Sequence, residues 1–136
     1  MKRSLLLVAL VVASSLAGQA ALAQAKPERN EQLARRFLFC MNVNQFFYEY
    51  LQTNDPQNPG LAGFRDSRFQ YRLAATLLSD DAFVTKETEN TLQDVIRVLD
   101  KDQAEHTAQI HDEAKNCVQT FKTEVVPIIQ QAGAKK

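Results

Sequence analysis

Cys40 and Cys117 are the only two cysteines in the 136-residue sequence, and their setting limits what they can do. A tetrahedral zinc site needs four ligands, and neither cysteine has a histidine near it in sequence. In an oxidising compartment an even pair of thiols becomes a disulfide. Cys40 and Cys117 are therefore predicted to be joined, which removes both as candidate nucleophiles.

The other chemically active side chains give no catalytic pattern. His106 and His111 are five positions apart and fall on different sides of a helix, whereas a shared metal wants i and i+4. Met41 and His111 invite a haem reading. However, the helix register derived below offsets them by about 7–8 Å along the axis. Val118 follows Cys117, so the C-x-x-C-H attachment motif is absent as well. Asp80-Asp81 and Asp112-Glu113 are adjacent carboxylates, which diverge on a helix. There is no G-x-S-x-G elbow, no H-E-x-x-H and no Gly-rich phosphate loop. A non-catalytic protein without metal or cofactor is the expectation.

Two clusters point to binding. The segment 33–51 holds Phe37, Phe39, Phe46, Phe47, Tyr48 and Tyr50, six of the eleven aromatic residues. Leu33, Phe37, Cys40, Phe47 and Leu51 make one stripe of a helix, the one the disulfide turns inward. Phe39, Val43, Phe46 and Tyr50 make a second stripe about 90° round from it. An ordinary bundle helix buries an arc only a little over about 100° wide. The second stripe is thus read as facing a partner chain, a second copy or an apolar ligand. The alternative is a central helix covered on both sides by its own domain. Glu31, Arg35, Leu38, Asn42, Gln45 and Glu49 form the remaining strip, polar apart from Leu38, and Asn44 lies within the inward stripe.

The second cluster is Arg65, Arg68 and Arg72 with Phe69 beside them. At helical spacing the three guanidinium groups share an arc of about 60°, and with a ring they could hold an anionic group or an acidic partner. Arginines near a helix N-terminus oppose its dipole, so they do not serve the helix. The plainer alternative is a solvated face that pairs with acidic helices elsewhere in the chain.

Elements must position these groups. Gly and Pro are scarce, at four each, and apolar residues recur at helical spacing. A first helix is predicted from about Pro27 to Leu51, ended by the Pro- and Gly-containing stretch 53–60. A second is predicted over Asp66–Leu78, with Ser79-Asp80-Asp81 as a stop and restart. A third carries Phe83, Val84, Leu92, Val95, Ile96 and Leu99, with a polar run Thr85–Thr91 where it could bend. Asp102-Gln103-Ala104-Glu105 resembles a capping box and opens a fourth helix, through Ile110, Cys117 and Phe121 to Val125. One unbroken helix over 88–125 is the alternative. Pro127 is expected to kink or end the last helix, and Gly133 to close the ordered chain.

If the first and fourth helices are antiparallel neighbours joined through Cys40 and Cys117, Glu28 faces Ile129 and Gln52 faces Glu105, so both helices begin and end together. The expected fold class is all-α, an up-down bundle of about four helices with one disulfide between the first and last.

Finally, Lys2 and Arg3, an apolar run over Leu5–Ala13 and the A-x-A pattern at Ala21-Leu22-Ala23 read as an export signal, residues 1–23. The remaining 24–136 make one helical domain, periplasmic or secreted, with no membrane anchor. Cleavage leaves fourteen basic residues against sixteen acidic, which makes a nucleic-acid partner unexpected. Residues 79–113 carry ten acids against three bases. The functional expectation is an exported binding or interaction protein with a protein partner or a homodimer. The alternative is a carrier of a small apolar ligand held within the bundle.

Overall fold

The computed structural model describes residues 28–134. The export signal and Pro27 lie outside the described residues.

Helix α1 spans Glu31–Asn54, with the Asn30 side chain accepting the Leu33 N–H at 3.0 Å as N-cap. It ends just before Pro56, as the loop composition demands. Helix α2, Leu61–Leu78, begins earlier than the expected Asp66. The reason is tertiary: Phe64 in its first turn stacks on Phe47 of α1, with ring centroids 5.7 Å apart. Helix α3, Asp81–Leu99, restarts at Asp80, whose carboxylate accepts the Phe83 N–H at 2.9 Å. Helix α4, Gln103–Thr120, opens at Asp102, whose carboxylate accepts the Glu105 N–H at 3.1 Å. Asp100, Lys101 and Asp102 break the chain, so segment 88–125 is two helices.

The last helix does not stop at Pro127. A π-helical turn, Phe121–Val125, leads directly into α5, Val126–Gly133. In a regular helix the proline ring would press on the carbonyl four residues back. The wider turn just before it re-spaces those carbonyls and lets the chain continue.

The result is the expected all-α bundle, with α1 and the α4–α5 arm cross-linked by Cys40–Cys117. The expected register holds. Phe47 packs on His111 with centroids 6.4 Å apart, and Arg36 pairs with Glu124 at 3.5 Å. Among the described residues no helix is long and apolar enough to cross a membrane.

Helix α1 is the central element, packed by α2, α3 and α4. This explains its wide apolar arc. Phe37 and Leu38 have no exposed surface, and each contributes about 1.5–3 kcal/mol by leaving water. Leu38 is therefore core although its neighbours on that strip of α1 are polar. Asn42 from the same strip is also buried, and its amide donates to the Thr88 carbonyl at 3.0 Å and the Thr91 hydroxyl at 2.9 Å. The polar run of α3 continues as regular helix, and within it the Thr88 carbonyl and the Thr91 hydroxyl receive this amide. Further along the seam Arg35 binds Glu87 at 2.9 Å and Asp94 at 2.6 Å.

Candidate binding face between α1 and α2

The sequence-predicted outer stripe of α1 is divided by the fold. Val43 is core, with 1% of its surface exposed, and has nothing to offer a partner. Phe39 and Phe46 are half-buried and pack against the core. Phe46 meets Phe47 edge-on at 5.3 Å and stacks on Tyr50 at 6.3 Å. Tyr50 alone is open, at 56% exposure, at the end of this aromatic row. The stripe is thus mostly used inside the molecule. The half-buried Asn44 amide donates to the Cys40 carbonyl of its own helix at 2.9 Å.

The arginine cluster is placed differently. Arg65, Arg68, Phe69 and Arg72 line one wall of a depression of about 650 Å³ between α1 and α2, and Met41 and Gln45 of α1 line the other. That volume lies in the range of ligand sites, about 300–1,000 Å³. Phe69 stands at its rim with 70% of its surface in water, and Leu73, one turn along, is also exposed.

Each arginine has a different setting. The Arg68 guanidinium donates to the Gln45 side-chain oxygen and lies 5.1 Å from the Tyr48 ring centroid. The Gln45 amide in turn donates to Glu49, so the chain Arg68–Gln45–Glu49 fixes one side of the groove. Among the described residues Arg65 pairs only with its neighbour Asp66, at 3.0 Å and mostly in water, a contact worth little against screening. Arg72 is exposed and forms no ion pair among the described residues.

The plainer alternative, that these arginines pair with the acidic helices, is not what the fold builds. Part of the charge of those helices is matched by other cations. Asp80 binds Arg29, Glu87 and Asp94 bind Arg35, Asp94 also binds Arg97, and Glu105 binds Lys101. Arg29 is held above its ordinary pKa, chiefly by its hydrogen bond to Glu31, and Arg35 is raised by Asp94 and Glu87 against the opposing cost of its partial burial. Asp80 is held below the usual carboxylate range, first by the Phe83 amide and then by Arg29.

His111 lies against Phe47, and the His106 ring nitrogen is 3.3 Å from the Lys101 carbonyl. Among the described residues no group of three or more His, Cys, Asp or Glu side chains could hold a metal ion. Tyr71 is buried, donates to the Cys117 carbonyl, and meets Phe37 and Phe121 with its ring. Burial raises its pKa and keeps the phenol protonated. The space between the helices is taken by Phe37, Leu38, Tyr71, Val95 and Ile110.

Sequence reasoning missed Asn42. Its signal was present: a polar residue at helical spacing from Leu38, matched by a polar stretch in the middle of an otherwise apolar third helix.

The chain matches no protein-family model, no curated protein and no solved structure.

Proposed function

We propose that this chain is an exported, non-catalytic binding protein that engages a partner through the α1–α2 groove. One observation carries the reading. The guanidinium groups of Arg65 and Arg72 have no carboxylate partner from another helix among the described residues, although the chain is rich in acids, and they flank an exposed Phe69. An arginine beside an aromatic ring, left available, is what a recognition surface needs. The N-terminal signal pattern and the Cys40–Cys117 cross-link suit an oxidising compartment outside the cytoplasm.

The test is a photo-reactive amino acid placed at Phe69 in protein exported from its own host, with Val118 on α4 as the control position, since it too is exposed. A discrete adduct from position 69, absent from position 118 and lost in Arg65→Glu/Arg72→Glu, is the expected result. Adducts only from position 118, or none from 69, would overturn the assignment.

A further inference from the structure

We infer that the groove takes an extended acidic segment of a partner protein, with an apolar side chain between two carboxylates. This rests on the binding reading above and adds the chemistry of what is bound. The groove carries three arginines against one acid, Asp66, so its own charge selects an anion. Guanidinium groups bind carboxylates through paired N–H donors, which gives direction as well as strength.

Spacing supplies the rest. Arg65, Phe69 and Arg72 lie along one side of α2, and at about 1.5 Å rise per residue the two arginines are about 10 Å apart. In an extended peptide, residues i, i+2 and i+4 point to one side and span about 13 Å. Flexible arginine side chains cover the difference. A segment of the form acid-x-apolar-x-acid therefore places its carboxylates at Arg65 and Arg72 and its central side chain on Phe69 and the Met41 edge. Arg68, held by Gln45 and Tyr48, sets the floor charge.

Other anionic partners fit less well. A bilayer surface calls for about four to eight clustered basic residues, and this face has three. A second copy of the chain would offer the acids of its helices, of which Asp80, Glu87, Asp94 and Glu105 are already paired within the chain with Arg29, Arg35, Arg97 and Lys101.

The experiment uses the mature protein and fluorescently labelled synthetic peptides, read by anisotropy at low salt. The probe is Gly-Glu-Ser-Leu-Ser-Glu-Gly, compared with the same peptide carrying lysines for the glutamates and with one carrying serine for leucine. The glutamate peptide is expected to bind, and raised salt to weaken it. The lysine peptide should fail, and the serine peptide should bind at least about threefold more weakly, as expected from losing buried apolar area. Arg65→Ala/Arg72→Ala should lose at least about tenfold in affinity, with helicity and melting unchanged because both side chains are exposed.

No binding of the glutamate peptide, or binding unaltered in the double variant, overturns the inference. So does tighter capture by phosphatidylglycerol vesicles than by the peptide, or a dimer that the double variant dissolves. If the position-69 cross-link forms while the glutamate peptide neither binds nor competes with it, the groove is a binding site and only the acidic-segment chemistry fails.

Discussion

Opening the Cys40–Cys117 bond should remove a large part of the stability of this domain. The bond spans 77 positions of sequence, and both cysteines are 2% exposed. In the chain-entropy account a loop of that length restricts the unfolded chain by about 4.5 kcal/mol at 25 °C. Domains of this size are stable by only about 5–15 kcal/mol in total. The native state should change little on reduction, because both positions belong to the packed core that holds the helices together. Urea melts of the oxidised and fully reduced protein, followed by circular dichroism, are the assay. We expect a loss of about 3–5 kcal/mol, a drop in Tm of about 15–30 °C, and a slightly steeper urea dependence, since the uncrossed chain exposes more surface. Cys40→Ala/Cys117→Ala should behave like the reduced protein or slightly worse, through the small cavities it leaves. If oxidised and reduced forms differ by less than about 1 kcal/mol, the bond does not hold α1 against α4 in the way argued.

Four further outcomes are expected. Thr120 is 1% exposed and its hydroxyl has no partner among the described residues, so Thr120→Val should stabilise by about 1 kcal/mol in the same melts; no gain would point to a bound water there. Asn42→Ala should cost about 2 kcal/mol by removing both bonds to α3, and a change under about 0.5 kcal/mol would deny the amide its role. Phe46→Asp should unfold or strongly destabilise the monomer, because Phe46 packs on Phe47 and Tyr50; a folded variant of normal stability would return that ring to the surface. Asp80 has a lowered folded pKa, so its contribution is fully present above the ordinary value of 3.8 and is lost as pH falls through the folded value. The stability gap between wild type and Asp80→Ala should accordingly be widest near neutral pH and close in acid, and a gap independent of pH would exclude the carboxylate charge as its source.

Much of the fold was legible in local sequence. With only Cys40 and Cys117 available, the covalent link and the antiparallel register of first and last helices followed together, and the Phe47–His111 and Arg36–Glu124 contacts agree with both. The starts at Asp80 and Asp102 were readable for the same kind of reason, since a capping carboxylate acts on amides two or three residues away. The candidate site was half legible. Arg65, Arg68 and Arg72 could be placed on one helical face from spacing, but not the fact that Glu87, Asp94 and Glu105 would be taken by other cations.

What the tertiary structure decided are the matters of which surface meets which. Leu38, Asn42 and Val43 are buried on faces of α1 that periodicity alone assigned to water or to a partner, and α3 meets Asn42 there. The early start of α2 depends on Phe64 finding Phe47, and the passage of the last helix through Pro127 depends on the π turn before it. Helical phase is a property of residues within a few positions of each other and can be read from a single segment. Burial and charge pairing depend on residues dozens of positions away, and they are settled only when the helices are side by side.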